Sequence, residues 1–181
     1  MRIITGLYKG RHFDIPRSFK ARPTTDFAKE NIFNVVNGYM ELDGTTALDL
    51  FAGTGSISLE LLSRGCSRVV SVEADRDHAA FIRQCMAKIG TDACMLIRGD
   101  AFRFIKSCRQ QFDFIFADPP YALKELPGIP SLIRERTAEG GRTAGVRTRK
   151  GQRLLLARTV CGAPQLRQRE LLALQMTHKA A

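Results

Sequence analysis

The densest chemistry in this 181-residue chain lies just before position 122, in Asp118-Pro119-Pro120-Tyr121. The tetrapeptide follows the apolar run Phe112-Asp113-Phe114-Ile115-Phe116-Ala117, which reads as a buried strand. The Asp118 carboxylate and the Pro119 main-chain carbonyl are two hydrogen-bond acceptors, and the two prolines stiffen the position of that carbonyl. Tyr121 adds a flat face on which a splayed-out nucleobase can stack. Ordinary residue usage yields such a tetrapeptide in a chain of this size roughly once in a thousand, which favours a site over the plain turn the prolines also permit.

A second constellation begins at Asp49-Leu50-Phe51-Ala52-Gly53-Thr54-Gly55. It starts inside a predicted strand and ends at the mouth of a predicted helix, where glycines let the backbone turn sharply and approach a ligand closely. The third glycine of a dinucleotide fingerprint would fall at Ser58, which argues against a nicotinamide cofactor. Glu73 closes the next strand 24 residues after Asp49, the spacing of an acid that accepts hydrogen bonds from both ribose hydroxyls. Asp100, in Arg98-Gly99-Asp100-Ala101, follows a third strand. Asp49, Glu73 and Asp100 thus fall at the carboxyl ends of three successive strands, where open α/β sheets bind ligands.

The elements that position these residues alternate. Strand-like runs at Ala47–Phe51, Arg68–Glu73, Cys94–Arg98 and Phe112–Ala117 are separated by amphipathic stretches such as Ser56–Ser63 and His78–Ile89. That rhythm predicts βαβ units and a parallel sheet. Ahead of them, Arg22-Pro23-Thr24-Thr25-Asp26 supplies a stop and N-cap residues for a helix over about Asp26 to Tyr39. The first 22 residues alternate around Gly6 and Gly10 and carry Arg2, Lys9, Arg11, Arg17, Lys20 and Arg22 against Asp14 alone. They predict a small basic β-hairpin able to meet a phosphate backbone. A solvated edge hairpin would look the same.

Length and composition predict one domain. No apolar run is long enough to span a bilayer, and Met1–Gly10 does not resemble a secretory signal, so a cytoplasmic protein without membrane contact is expected. The five cysteines are scattered and the three histidines lack ligand spacing, so no metal is expected, and a surface role is expected for each histidine. Net charge is +10, which favours a polyanionic partner. Residues 1–130, however, hold 17 Lys and Arg against 15 Asp and Glu, whereas residues 131–181 hold 11 against 3. Most of the basicity is C-terminal.

An acid four residues before the first glycine of Gly53-Thr54-Gly55 resembles motif I of class I S-adenosylmethionine-dependent methyltransferases, and Asp118-Pro119-Pro120-Tyr121 resembles the D/N-P-P-Y/F signature of members that modify planar exocyclic amines. Within that class, Arg2-Ile3-Ile4-Thr5-Gly6, Lys9-Gly10-Arg11, Arg22-Pro23-Thr24-Thr25-Asp26, Glu30, Phe33-Asn34 and Ser63-Arg64-Gly65 resemble RsmD-like proteins over about residues 1 to 133. The resemblance implies a Rossmann-like parallel sheet with an N-terminal hairpin extension. It also implies transfer of a methyl group from S-adenosylmethionine to N2 of a guanine in 16S rRNA, free or within a partly assembled small ribosomal subunit, by a monomer. It implies that Asp49 lies near the methionine moiety and that Phe51, Gly53, Gly55 and Ala101 line the cofactor. Glu73 would meet the ribose and Asp100 the adenine amine. Asp118, Pro119, Pro120 and Tyr121 would hold the target amine, and Arg2, Lys9, Arg11, Arg22, Thr24 and Thr25 the RNA. Such an amine is a poor nucleophile because its lone pair is delocalised into the base. N–H acceptors at Asp118 and Pro119 favour a more pyramidal nitrogen. The run Phe27-Ala28-Lys29 departs from the family's more arginine-rich pattern, which weakens the case for RNA contacts from that turn.

The resemblance stops near Ile133. All 14 aromatic residues lie at or before Tyr121, and residues 134–181 are Arg-, Gly-, Thr- and Leu-rich without strand alternation. The segment reads as an atypical basic tail, non-native or disordered, with strands five to seven of the fold missing or disrupted. Back-translation read one nucleotide later permits a family-like continuation, L-L-K-E-G-G-L-L-V-F-E-H-G, so a frameshift after about Ile133 is the favoured explanation. Poor stability and weak activity are then expected, because the fourth strand would become a raw edge. Two alternatives stand beside the guanine enzyme. One is a methyltransferase for DNA adenine or cytosine or for protein glutamine; the other is an inactive, truncated remnant that keeps the pocket or only binds RNA.

Overall fold

A computed structural model describes residues 1–19, 24–38 and 40–119, together with the backbone of three short strands at 143–147, 154–157 and 171–174. The elements are α1 (Asp26–Asn37), β1 (Thr46–Leu50), α2 (Ser56–Ser63), β2 (Arg68–Glu73), α3 (Arg76–Ile89), β3 (Cys94–Arg98), α4 (Ala101–Ser107), β4 (Phe114–Ala117), β5 (Thr143–Arg147), β6 (Leu154–Ala157) and β7 (Leu171–Leu174). The sheet order is β3-β2-β1-β4-β5-β6-β7. Strands β1 to β5 are parallel, and β6 and β7 add on antiparallel. The order in which strands are added reverses between β1 and β4, the switch point at which such sheets bind ligands.

Alternation along the strands sorts side chains into two layers. Ala47, Val69, Phe114 and Phe116 face α1, α2 and α3 in one apolar cluster. Leu48, Leu50, Val70, Val72, Ile115 and Ala117 face Ala101 and Ile105 of α4 in the other. Strands buried on both faces explain the near-continuous apolar runs in the sequence. Strand β4 begins at Phe114, two residues later than expected. Asp113 is instead committed to the start of β1: its Oδ2 accepts from Thr46 N at 2.8 Å and Thr46 Oγ1 at 2.9 Å, and its own amide donates to Thr46 O.

The N-terminal residues close an antiparallel loop through one bridge between Arg2 and His12 and the bonds Ile3 N to Arg11 O and Phe13 N to Met1 O. The loop docks on α2. Leu7 N donates to Ser63 O at 2.7 Å, Tyr8 N to Ser63 Oγ at 3.0 Å and Ile4 N to Glu60 Oε1 at 2.6 Å. Gly6 has φ +88°, and a Cβ there would fall 1.7 Å from Ser63 O, so only glycine permits the approach. Lys29 of α1 completes the junction. Its Nζ donates to Arg2 O and lies 3.2 Å from Glu60 Oε1, with both side chains at most 1% exposed. The arginine-poor turn at Phe27-Ala28-Lys29 therefore contributes a structural cation at Lys29, turned into the core.

Strands five to seven, expected to be missing or disrupted, are present as the short β5, β6 and β7. Ladder bonds are made by backbone, so brief apolar runs such as Leu154-Leu155-Leu156-Ala157 can cover an open edge whatever their side chains. Most of 134–181, where the basic tail and the frameshift were expected, lies outside the described residues.

Candidate active site

Register brings the candidate residues to one end of the sheet. Leu50 pairs with Val72 on one side and with Ala117 on the other, so Phe51, Glu73 and Asp118 follow at adjacent strand ends. Glu73 pairs with Arg98, two residues before Asp100.

The loop after β1 is bent by three left-handed residues, Phe51 at φ 59°, Gly53 at 57° and Gly55 at 73°. Phe51 is the one described residue other than glycine with positive φ, a sparsely populated conformation that concentrates at functional sites. Its ring meets Phe102 of α4 edge-on, with centroids 5.7 Å apart. Gly55 is required by packing as well as by φ, since a Cβ would lie 2.8 Å from Ile82 Cγ1 of α3.

Glu73 is held on both oxygens. Oε2 accepts from Gly53 N at 2.6 Å and Oε1 from Asp75 N at 2.8 Å. An ionised carboxylate has about four acceptor directions, so about two remain for further donors such as a pair of vicinal hydroxyls. Asp49 is differently placed. Its side chain is 1% exposed and turned toward α2, where Ser58 Oγ donates to Oδ2 at 2.5 Å. Ser58 in turn contacts Ser71, and Ser71 contacts Cys94. Burial, with Glu73 and Asp118 as neighbouring negative charges, pushes the Asp49 carboxyl up to about 7 against the opposing Ser58 bonds.

Asp100 is exposed and caps α4, its Oδ1 accepting from Arg103 N at 2.8 Å; Ala101 is buried in the first turn. Asp118 is half-buried beyond β4 and Pro119 is buried, while Pro120 and Tyr121 lie outside the described residues. Of the expected RNA contacts, Arg2, Lys9 and Arg11 are exposed. Arg2 pairs with Asp26 at 3.0 Å, and Arg11 Nη1 reaches Lys88 O at 3.4 Å. Thr24 is half-buried, Thr25 caps α1 by accepting from Ala28 N at 3.2 Å, and Arg22 lies outside the described residues. The expectation of a surface role fails for His78. It sits 4.4 Å from the Phe19 ring and 4.0 Å from Glu73 Oε1, with its side chain 13% exposed. Sequence reasoning also passes over Phe19 and Phe102, which meet their ring partners only through the fold, and Ser56, whose burial the fold alone reveals.

The pocket residues fit a nucleoside ligand with a charged tail. Glu73 offers acceptors for ribose hydroxyls, and the Phe51 and Phe102 rings stand near the opening of α4. Ser56 Oγ is buried in the first turn of α2 with no hydrogen-bond partner among the described residues. It lies where helix amides also favour a carboxylate. Among the described residues, no cluster of His, Cys, Asp or Glu could hold a metal ion, and no helix is long and apolar enough to cross a membrane.

Residues 1–145 match the model of the family described as "Conserved hypothetical protein 95". The chain belongs to this family. Among relatives, "Putative rRNA methyltransferase YlbH" of Bacillus subtilis is 36% identical over 139 residues, 75% of this chain and 74% of that protein. "Ribosomal RNA small subunit methyltransferase D" of Haemophilus influenzae is 34% identical over 139 residues, 75% of this chain and 71% of that protein. The solved structure "Putative methyltransferase yhhF from Escherichia coli" superposes with TM-score 0.69 at 26% identity, covering 81% of this chain and 78% of that one. The family is thus the RsmD-like one that the opening and D-P-P-Y motifs resemble, and the fold is that of class I methyltransferases.

Proposed function

We propose that this chain methylates the exocyclic N2 amine of a guanine in 16S rRNA with S-adenosylmethionine as donor. The observation that carries this reading is the Glu73 carboxylate, clasped by Gly53 N and Asp75 N beside the strand end that bears Asp118. Glu73 would take the ribose hydroxyls, the Gly53–Gly55 backbone would line the cofactor, and Ser56 with the α2 amides would take its carboxylate. Asp100 keeps Oδ2 for an adenine amine while Oδ1 caps α4. When bound, the cofactor supplies an electrophilic methyl on a sulfonium.

The chain's own contribution is positioning. Asp118 and the Pro119 carbonyl accept the N–H groups of the target amine, so its lone pair points away from the base plane. Tyr121, by its family motif, would stack the base. The Glu73 and Asp118 carboxylates at adjacent strand ends favour a cationic ligand. They should hold the positively charged donor more tightly than its neutral demethylated product. Arg2, Lys9 and Arg11 would meet phosphates of 16S rRNA, free or within a partly assembled small subunit in the cytoplasm. The relatives' names support the ribosomal target.

Calorimetry and methyl transfer to 16S rRNA test this reading. Glu73→Ala should weaken S-adenosylmethionine binding, and Asp118→Ala should abolish turnover with binding largely kept. Unmodified rRNA beside methylated DNA or protein would overturn the guanine target.

A further inference from the structure

We propose that His78 and Phe19 are positioning residues for the cofactor's ribose site, through Glu73. The inference rests on the reading above, in which Glu73 receives the ribose hydroxyls. His78 stands in the first turn of α3, its amide donating to Asp75 Oδ1 at 2.9 Å, so its backbone is fixed by the helix cap. Its imidazole Nδ1 lies 4.0 Å from Glu73 Oε1. That is beyond hydrogen-bond length, so His78 leaves the remaining acceptor directions of Glu73 open. It nevertheless stands beside the carboxylate from the first turn of α3, where it would limit rotation toward that helix.

The imidazole is held in turn by Phe19. The two rings are 4.4 Å apart and tilted by 56°, and Phe19 meets Phe81 edge-on at 5.6 Å. Phe19 belongs to the N-terminal segment, where its amide closes a turn on Pro16 O at 3.0 Å. A chain of contacts therefore runs from the segment that follows the basic hairpin, through Phe19 and His78, to the ribose acid. Phe19 and Glu73 are 54 residues apart in sequence, and Phe19 also packs against the core through Phe81.

Binding of S-adenosylmethionine and of its 2′-deoxy analogue, measured by calorimetry on the full chain, tests this. The wild type should prefer the parent ligand, and Glu73→Ala should abolish that preference. His78→Ala should weaken parent binding roughly tenfold, with the double His78→Ala/Phe19→Ala costing little more, because contacting residues couple. The 2′-deoxy analogue, which keeps the 3′ hydroxyl, should lose less affinity than the parent in His78→Ala. Phe19→Leu, which keeps an apolar side chain, should reduce the preference severalfold and guards against failure of the alanine variants to fold. If Glu73→Ala leaves the preference intact, the ribose role of Glu73 is wrong. If Glu73→Ala removes it while His78→Ala and Phe19→Leu do not, or if His78→Ala weakens both ligands equally, the positioning role is wrong.

Discussion

Replacing Lys29 with methionine should be among the costliest single changes in the chain. Lys29 Nζ serves Arg2 O, Glu60 Oε1 at 3.2 Å and Asp26 Oδ1 at 3.3 Å. Glu60, fully enclosed, also accepts from Ile4 N at 2.6 Å and lies 3.5 Å from Arg64 Nε. Methionine fills much of the lysine volume, so little cavity forms; the loss is electrostatic. Breaking a buried pair by removing one partner costs about 3–5 kcal/mol, because a charge stays buried without compensation. Arg64, stacked 4.1 Å above the Phe33 ring, remains beside Glu60 and pulls the expectation to about 3 kcal/mol. That is a large share of an ordinary folding free energy of roughly 5–15 kcal/mol. Glu60→Gln keeps an acceptor for Ile4 N but leaves Lys29 with the Arg2 carbonyl and, as its anionic partner, the half-exposed Asp26. Combining the two removes both charges, so the double variant should be more stable than the sum of the single losses predicts, by about 2 kcal/mol. Urea unfolding followed by circular dichroism measures all four proteins. Additive losses would refute the buried-pair explanation and leave only packing.

Three further outcomes follow from the same geometry. Burial raises the Asp49 carboxyl from 3.8 to about 7, so the fold favours its protonated form; that stabilisation is full below about pH 4 and is lost as pH rises through 7. Asp49→Asn should therefore gain up to about 4 kcal/mol relative to the wild type between pH 4 and pH 8, and parallel urea stabilities across that range would exclude it. Gly6→Ala should release the hairpin from α2 and cost more than about 2 kcal/mol, seen as faster proteolysis of the first 13 residues than of the core. Sequencing the gene should reveal a family-like open frame one nucleotide later over codons 134 to 174; its absence ends the frameshift proposal.

Much of the core was legible because its signals are local. The α2, β2 and β3 boundaries match those read from alternation and from glycine positions. Thr25 before Asp26 marks the start of α1 through capping, and Glu73 announces itself by closing a strand. What escaped is what the chain assembles across distance. Nothing near Lys29 in sequence indicates that Glu60, 31 residues on, will draw it inward. His78 looks like any residue in a helix's first turn until Phe19 is folded over it. Asp49 stands where a ligand-facing acid is expected, but strand alternation turns it beneath α2, and only Ser58 and Ser71 reveal that side as polar.

The clasp between Glu73 and the amide of Gly53 bears on the thermodynamics of ligand capture. The glycine loop is tied to its acid by a hydrogen bond of the chain's own, so its conformational entropy is surrendered during folding and not again at association. Binding should then show a modest entropic penalty and little change in amide exchange at Ala52 and Gly53. The same economy makes the loop hostage to the carboxylate: a substitution at position 73 frees the backbone that shapes the pocket, and the entropy returns as weakened affinity even for ligands that lack a ribose.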